Sequence, residues 1–587
     1  MADDNEKLFG DQKIPMKIMI KRLAHYILPE WKSFLLAFIL IIINVGLDVI
    51  LPLVIKEFTA AIEDYNTVLN YVFILAAGYF GICVINQVLI YFESMTLQKT
   101  GQRIVYKLRM EVFEHIENMS QNQFNMMPVG SLVTRVANYT TSMSDLFTNV
   151  LVSLLRNVLT IIGVYIAMIV LSWKLSLLLL AFVAVVFIAS FIFRKVITKI
   201  WRKERQYTSD LNTFLNENLS GMKIIQIFNQ QKRKEEEFNV KNTQLRKIKF
   251  NAVLAFASYR PFINFLYYSA LAVTFFVAIE FNLTGPEIMA FYLYLSRFFN
   301  PVQNIADQLN QIQKAATSSE RLFNLLDVKP ESLDKPDAIH IDNFIGKIEF
   351  RHVWFAYKEE EWILKDVSFT IEPKQTVAFV GATGAGKTTI LSLIVRNYQI
   401  QKGQIFIDDI DINDIEIKSL RKAVGQMLQD VFLFTGNIRN NITLHDDSFT
   451  DEQINEVCRY VNADKFINKL EKGLDEEVIE RGENFSQGQR QLLSFARTVI
   501  HKPQILILDE ATANIDTETE KLIQESLEKM KSIGTMLVVA HRFSTIQNAD
   551  QIIVLQNGEV LEIGTHQSLL RQKGYYYKLY LLQFHND

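Results

Sequence analysis

Two segments in the second half of the chain carry residue types that handle phosphate groups. The first, GATGAGKTT, places Gly381, Gly386, Lys387 and Thr388 between one apolar run and the next. A glycine-rich turn that opens a helix points successive backbone N–H groups at phosphate oxygens. Lys387 would then reach the β- and γ-phosphates of a nucleotide, and the Thr388 hydroxyl would ligate Mg²⁺.

The second segment, ILILDE, supplies carboxylates. Residues 505–508 form an apolar run typical of a buried parallel strand. Asp509 would hold the Mg²⁺ shell at the end of that strand, and Glu510 would orient and partly deprotonate a water. A lone Asp-Glu pair after a strand is more often a helix cap. The phosphate loop upstream favours the hydrolytic interpretation.

Between these segments lies the turn FSQGQ, residues 485–489, which has the composition of a phosphate-contacting turn. Gln487 stands where glycine would be easier, because glycine permits close approach and unusual φ values and glutamine costs both. The sequence therefore combines an intact half of a hydrolytic site with an altered contact turn. The alternative is that position 487 is permissive and the glutamine has no consequence.

The first half is apolar. The chain has 587 residues, 49% of them hydrophobic, and a net charge of −3, which points to neither a nucleic-acid nor a polyacidic partner. Its length suggests two to four domains. Runs long enough to cross a bilayer lie at about 34–55, 68–92, 150–172, 174–197, 252–279 and 286–308.

The charges between these runs predict an orientation. Lys and Arg are concentrated before the first run and in the long second and fourth connections, whereas the alternate connections are short and poor in both. This pattern places both termini in the cytoplasm. Residues 15–29 suggest an interfacial helix, although an ordinary amphipathic core helix fits that segment equally well. We expect a transmembrane domain at 1–327, a linker at 328–344 and a nucleotide-binding domain at 345–587.

The motifs and their order resemble the ATP-binding cassette (ABC) transporters, and within them the exporters that fuse a six-helix membrane domain to one nucleotide-binding domain. The resemblance covers about residues 15–583. It implies a multi-domain fold: an all-α six-helix transmembrane domain, then an α/β P-loop (RecA-like) domain with a helical subdomain. The matching positions are the adenine-stacking Tyr357, the Walker A residues Gly381, Thr383, Gly384, Ala385, Gly386, Lys387, Thr388 and Thr389, the Q-loop Gln429, the signature residues Ser486, Gln487, Gly488 and Gln489, the Walker B residues Asp509 and Glu510, the D-loop Asp516 and the switch His541.

Roles follow from the resemblance. Glu510, His541 and Gln429 would be catalytic, and Thr388, Gln429 and Asp509 would hold Mg²⁺. Two nucleotide domains would pair head to tail, so that each ATP lies between one chain's Walker A and the other chain's signature. The altered signature of this chain would then impair a site on a partner, as in heterodimeric bacterial multidrug exporters whose partner keeps an LSGGQ-type signature and lacks the catalytic glutamate. A homodimer that tolerates the glutamine is the alternative.

Polar and aromatic residues in the membrane runs are candidates for contact with cargo. Asp48 is an intramembrane charge, and Tyr292 and Phe298 belong to an aromatic group in the sixth run. Such surfaces suit amphipathic, often cationic drugs or lipids, although the aromatics could equally face lipid or other helices. A lipid flippase of the same fold is the main alternative function. An ATP-gated channel and a soluble ATPase are the others.

Overall fold

The computed structural model describes residues 14–63, 69–281, 283–331, 334–358, 361–509, 515–539 and 546–584. The chain divides into two compact units. The helical unit comprises Met1–Glu117 and Met127–Lys329. The α/β unit comprises Asn118–Met126 and Pro330–Asp587.

The helical unit is built from long helices. In chain order they are α1 Met16–Ile27, α2 Trp31–Glu63, α3 Leu69–Glu117, α5 Val129–Thr134, α6 Thr140–Asp145, α7 Leu151–Leu171, α8 Trp173–Ser220, α9 Met222–Ile227, α10 Gln231–Glu280 and α11 Gly285–Leu326. A 3₁₀ turn, Leu28–Glu30, joins α1 to α2, and the π-helical segments Arg135–Tyr139 and Leu146–Val150 flank α6. At about 1.5 Å per residue, α3, α8 and α10 are each about 70–75 Å long, more than twice the thickness of a bilayer core. The membrane helices therefore continue well beyond the bilayer.

Within the described residues, five helical stretches are long and apolar enough to cross a membrane. They are Lys17–Glu63, Leu69–Glu117, Val129–Leu171, Trp173–Ser220 and Gln231–Glu280. The sixth predicted span, 286–308, lies in α11 but does not reach the same apolarity, because Arg297, Asn300 and Pro301 interrupt it. A sixth crossing therefore stays a prediction.

The α/β unit contains three sheets. Its strands are β1 Ile348–Ala356, β2 Trp362–Ile371, β3 Thr376–Val380, β4 Lys402–Ile407, β5 Ile410–Asp411, β6 Val424–Met427, β7 Gly436–Asn437, β8 Glu477–Val478, β9 Ile505–Asp509, β10 Thr535–Val539, β11 Gln551–Gln556 and β12 Glu559–Gly564. The central sheet has the order β12-β11-β3-β10-β9-β6 and is parallel except for the edge strand β12. An antiparallel sheet, β2-β1-β4-β5, and the pair β7-β8 complete the set.

Helices flank the central sheet. They are α12 Lys387–Ile394, α13 Ile417–Ala423, α14 Ile438–Thr443, α15 Asp451–Tyr460, α16 Asp464–Ile467, α17 Gln487–Val499, α18 Thr517–Met530, α19 His566–Gln572 and α20 Tyr575–Phe584, with 3₁₀ turns at Ile412–Asp414, Gly473–Asp475 and Glu480–Gly482. A short helix, α4 Gln121–Asn125, from the first long connection also belongs to this unit. An apolar helical unit and an α/β unit are the fold class that the sequence predicts.

Strand order brings the two phosphate-handling segments together. β10 lies between β3 and β9 and pairs in parallel with both. Val539 of β10 is in register with Phe379 of β3 and with Asp509 of β9. Because the strands are parallel, the loop after β3 and the carboxylate ending β9 open on the same edge of the sheet.

Candidate functional site

The phosphate loop is a turn whose backbone favours glycine at two positions. It connects β3 to α12, and its backbone has φ +84° at Gly384 and +100° at Gly386. Residues with a Cβ rarely occupy this region. At Gly386 a Cβ would also lie 2.5 Å from Cδ2 of Leu364 in β2. At Gly384 nothing lies within 4 Å of the added atom, so this glycine faces open space at the helix N-terminus.

Lys387 is the first residue of α12 and is only 7% exposed. Its ammonium donates hydrogen bonds to the carbonyl oxygens of Gly381, at 2.8 Å, and Ala382, at 3.1 Å. Burial lowers the pKa of the Lys387 ammonium, while the charge of Asp509 acts against that shift. The lysine is thus folded against the loop that would surround a phosphate.

The remaining Walker A residues differ in exposure. Thr383 and Thr388 are exposed, whereas Ala385 and Thr389 are buried. The arrangement fits a polyphosphate: N–H groups and an ammonium converge on the loop, and the Thr388 hydroxyl remains open to a ligand.

Tyr357 immediately follows β1, and its hydroxyl group is held by a hydrogen bond. The hydroxyl lies 3.2 Å from Thr389 Oγ1, and the ring makes edge contacts with Phe355 and Tyr398 at centroid distances of 4.9 and 5.0 Å. The residue is 48% exposed. An aromatic surface beside the phosphate loop could therefore stack on a nucleobase.

Gln429 and Asp509 line one cavity of ≈ 340 Å³. Asp509 ends β9, and Gln429 is exposed in the segment after β6, the neighbouring strand. Carboxylate, amide and hydroxyl oxygens are the ligands that Mg²⁺ prefers, so Asp509, Gln429 and Thr388 have suitable donors. In the described part of the chain, no group of three or more His, Cys, Asp or Glu side chains is placed to hold a metal ion.

Two predicted catalytic residues, Glu510 and His541, lie outside the described residues. Asp516, from the predicted D-loop, is described and caps α18: its carboxylate accepts a hydrogen bond from the Thr519 backbone N–H at 2.9 Å. That hydrogen bond lowers the pKa of the Asp516 carboxyl. Asp516 thus acts as an N-cap in this structure.

The signature turn is a helix cap. Ser486 is the N-cap of α17, and its hydroxyl accepts from the Gln489 backbone N–H at 3.3 Å. In return the Ser486 N–H donates to Gln489 Oε1 at 2.9 Å. This reciprocal capping box fixes where the helix begins. The Ser486 hydroxyl stays exposed at the turn.

Gln487 corrects one expectation from the sequence. It is the first residue of α17, and its φ is not positive. The expectation that glutamine gives up an unusual φ needed at this position is therefore wrong, because the cap gives residue 487 an ordinary helical conformation. What glutamine adds is an exposed side chain, which lines the same cavity as Gln429 and Asp509 of its own chain.

Gly488 and Phe485, the other two residues of the signature turn, pack against the rest of the α/β unit. A Cβ on Gly488 would lie 2.4 Å from Thr519 Cγ2 and 3.1 Å from Ile515 Cγ2, so glycine allows α17 to approach the start of α18. Phe485 is 6% exposed, and its ring lies 6.3 Å from that of Phe466. The aromatic residue at position 485 therefore fills the core of the α/β unit.

In the helical unit, Asp48 belongs to a polar cluster on three helices. Its Oδ1 accepts from Asn86 Nδ2 at 3.0 Å and lies 3.3 Å from the Arg297 guanidinium, and Asn86 also hydrogen bonds to Asn44. The side chains of Asp48 and Arg297 are 35% and 31% exposed. A partly open ion pair between apolar helices is costly in hydrocarbon, which favours a position facing water or protein.

The two aromatic candidates differ. Tyr292 is 36% exposed, whereas Phe298 is 5% exposed and packs against Tyr165 and Phe299. Contact between Phe298 and a substrate would require these helices to separate.

Sequence reasoning missed a second membrane ion pair. Glu93, 1% exposed, pairs with Arg156 and joins α3 to α7. The signal was available, since Arg156 is a charge inside the run 150–172 and Glu93 immediately follows the run 68–92. Unlike Asp48, Glu93 is closed off from solvent.

Comparisons with known proteins agree with both units. Residues 34–302 match the model of the ABC transporter transmembrane region, and residues 364–513 match that of the ABC transporter. The chain is 38% identical over 531 residues to the "Probable multidrug resistance ABC transporter ATP-binding/permease protein YheH" of Bacillus subtilis, covering 89% of this chain and 78% of that protein. It is 34% identical to the multidrug resistance-like ATP-binding protein MdlB of Buchnera aphidicola, covering 98% of this chain and 100% of that protein.

A relative whose name gives a different cargo matches almost as well. The ATP-dependent lipid A-core flippase of Syntrophus aciditrophicus is 34% identical over 501 residues, covering 85% of this chain and 83% of that protein. The apolar helices, the phosphate loop and the nearly full-length relatives all indicate the same family. The chain belongs to the ABC transporter family as a multi-pass membrane exporter, and its α/β unit is a transport ATPase.

Proposed function

We propose that the protein exports amphipathic drugs or other hydrophobic compounds across the cytoplasmic membrane, as one half of a heterodimeric ABC exporter. In this proposal one ATP site of the pair is active and the other is impaired. The observation that carries it is a contrast within one chain: the phosphate loop is complete, and the signature turn carries the exposed side chain of Gln487.

The active site would use the phosphate loop of this chain. Lys387 binds the β- and γ-phosphates, Tyr357 stacks on adenine, and Thr388, Asp509 and Gln429 hold Mg²⁺. The metal neutralises phosphate charge when bound. Glu510 orients the attacking water, and His541 contacts the γ-phosphate. The converging donors of the loop and the shared edge of β3 and β9 support these roles.

The impaired site would lie on the partner. A head-to-tail pair brings Ser486 and the N-terminus of α17 to the ATP held by the other chain. Because Gln487 is exposed at that helix start, its side chain occupies space that glycine would leave to the nucleotide. The obstruction is therefore steric, since the backbone at this position is ordinary.

The cargo assignment rests on the membrane residues and on the relatives. Asp48 is one-third exposed and ion-paired with Arg297, so it offers a polar rather than a negatively charged contact, and Tyr292 offers an aromatic ring that suits cations. Two relatives carry multidrug resistance in their names. The Lys and Arg distribution supports cytoplasmic termini.

A homodimeric lipid flippase is the second candidate, favoured by the lipid A-core flippase relative. Stimulation of ATP hydrolysis by lipids, with no stimulation by cationic drugs, would favour it. Uphill transport into sealed vesicles would separate either exporter from an ATP-gated channel.

The proposal is tested by purifying the chain with its native partner and assaying Glu510→Gln. We expect near-complete loss of hydrolysis with ATP binding retained, because only the site that uses Glu510 turns over. Substantial residual hydrolysis would mean that the partner carries a competent site. If the purified chain alone hydrolyses ATP at two equivalent sites, the asymmetric pair is wrong.

A further inference from the structure

The helical unit contains a basic cavity of ≈ 410 Å³ whose lining includes none of the ATP-site or cargo residues proposed above. α8, α11 and the segment 139–142 enclose it, all within the helical unit. Four of its lining residues are cationic: Arg202, Arg205, Lys314 and Arg321. No Asp or Glu is among the residues that line it in the described part of the chain. We call it the basic cavity.

The lining of the basic cavity offers no carboxylate to Arg202, Arg205 or Lys314 in the described part of the chain. Arg321 is positioned by Tyr139: its guanidinium donates to the tyrosine hydroxyl at 2.8 Å and lies 6.0 Å from the ring centroid. Like charges on facing helices repel, so α8 and α11 would be drawn together by an anion between them.

The neutral lining suits a phosphate group with an organic substituent. The hydroxyls of Thr198 and Ser318 and the amide of Gln313 supply further hydrogen-bond donors. The hydroxyls of Ser142 and Thr317, also in the lining, donate to the backbone carbonyl oxygens of Asn138 and Gln313. Trp201 and Tyr139 add aromatic surface. Arginine binds phosphate oxygens through charge-assisted and often bidentate hydrogen bonds, which are roughly twice as strong as those of neutral donors. The cavity therefore combines cationic, neutral hydrogen-bonding and aromatic side chains, whereas a nonspecific basic surface would need the cations alone.

Only the upper edge of the basic cavity lies at the depth of the headgroup layer. Along α8, Arg202 and Arg205 lie about 8 and 12 Å beyond the end of the predicted span 174–197, at about 1.5 Å per residue. Lys314 lies about 9 Å beyond the end of the span 286–308. The polar layer of each leaflet is about 5–8 Å thick, so the upper edge of the cavity reaches it. In the orientation proposed above, that leaflet is the cytoplasmic one.

We propose that the basic cavity is a binding site for a phosphate-bearing anion that bridges α8 and α11. The anion is either the phosphodiester headgroup of an acidic phospholipid from the adjacent leaflet or a free phosphate compound. The site is separate from the nucleotide loop and goes beyond the export function, on which only its assignment to the cytoplasmic leaflet depends. Basic pockets between membrane helices at this depth are suited to acidic headgroups.

The test uses the complete transporter, with its partner, in nanodiscs without added nucleotide. One set contains phosphatidylcholine only, the second adds phosphatidylglycerol, and the third adds inorganic phosphate to phosphatidylcholine discs. Bound phosphatidylglycerol is counted by native mass spectrometry, and thermal unfolding is followed in all three sets. The variant Arg202→Gln/Arg205→Gln is compared with Lys199→Gln/Lys203→Gln, which removes two charges from the same helix outside the cavity.

We expect phosphatidylglycerol or inorganic phosphate to raise the unfolding temperature of the wild type and of the Lys199/Lys203 control. The arginine variant should bind the effective anion about thirtyfold more weakly, the factor for two removed charges of about 1 kcal/mol each. An effect of phosphatidylglycerol alone identifies the lipid source, and an effect of phosphate alone identifies the free anion. No effect of either, or equal losses in both double variants, would overturn the proposal.

Retained monodispersity and ATP hydrolysis in phosphatidylcholine discs show that the arginine variant is folded. If it is not folded, Arg202→Lys/Arg205→Lys replaces it. This variant keeps the charge and loses the planar fork, so we expect measurably weaker binding of the anion. Anion binding equal to that of the wild type would contradict the site.

Discussion

Two glycine-containing turns of the α/β unit lead into helices, and they use glycine for different reasons. In the phosphate loop, Gly384 and Gly386 have φ values of +84° and +100°. In the signature turn, helix α17 begins at Gln487 with an ordinary backbone, fixed by the capping box of Ser486 and Gln489. The glycine there, Gly488, is required by the neighbouring helix α18.

The comparison explains how one chain can keep one half of a hydrolytic site and change the other. A side chain in the phosphate loop would deform the loop and the fold of its own chain. A side chain at position 487 leaves its own chain folded, and its effect falls on whatever approaches the turn from outside. The signature turn can therefore change in a chain whose partner does not depend on it.

The largest effect is expected for Gly381→Ala. The new Cβ would lie 2.3 Å from the carbonyl oxygen of Leu555, a backbone atom of β11, which pairs with β3. Overpacking of this kind destabilises a fold by about 3 kcal/mol. If the loop is displaced to relieve the clash and the same free energy is lost from ATP binding, the ATP affinity falls about a hundredfold. Titration with a fluorescent ATP analogue measures it. At Gly384 an added Cβ has no atom within 4 Å, so Gly384→Ala should lose only about 1–2 kcal/mol, from the left-handed backbone of the alanine. A loss of ATP affinity greater than that of Gly381→Ala would contradict this account.

A smaller effect is expected for Gly488→Ala, which should lower stability by about 1–3 kcal/mol through the contact with Thr519 Cγ2. Thermal unfolding measures it, with ATP affinity as the control that should hardly change. The double variant Gly488→Ala/Thr519→Ser removes the clashing methyl group and should recover most of the loss. If Thr519→Ser gives no recovery, glycine at 488 has another role.

Ser486→Ala should lower the free energy of unfolding by about 1 kcal/mol, because the Gln489 N–H loses its side-chain acceptor. Denaturant unfolding is the measurement. Ser486→Asp, which restores an acceptor at the N-cap, is the matched control and should be close to the wild type. Equal losses in both variants would argue against the capping box.

Gln487→Gly should have the smallest effect on the chain itself, about 0.5–1 kcal/mol of stability from the lower helix propensity of glycine. In the purified asymmetric pair, ATP hydrolysis should change less than about twofold, since a partner without a catalytic glutamate gains nothing from a restored turn. An increase of tenfold or more would mean that the site facing Gln487 is otherwise competent.

Local rules account for much of what the sequence predicted. The phosphate loop, the strand before Asp509 and the long apolar helices follow from glycine spacing, a short apolar run and hydrophobic length. The φ cost expected for glutamine at position 487 was wrong because the comparison with glycine considered one position alone. The cap formed by Ser486 and Gln489, three residues apart, decided its backbone.

Other features depend on tertiary contacts that no local pattern contains. Gly488 is required by Thr519, thirty-one positions later, and the basic cavity joins residues of α8 to residues of α11. The ion pair of Glu93 and Arg156 joins two separate apolar runs. Sequence alone identifies these charges but not which of them meet.

The most direct test of the asymmetric pair compares two substitutions in this chain, assayed with its native partner. Lys387→Ala removes the phosphate-binding ammonium of the site proposed to be active, and Ser486→Ala alters only the turn that faces the partner's nucleotide. We predict that Lys387→Ala lowers ATP hydrolysis by about a hundredfold or more, and that Ser486→Ala lowers it by less than about threefold. Equal, near-complete losses from both substitutions would mean that both sites turn over, and would contradict the asymmetric exporter.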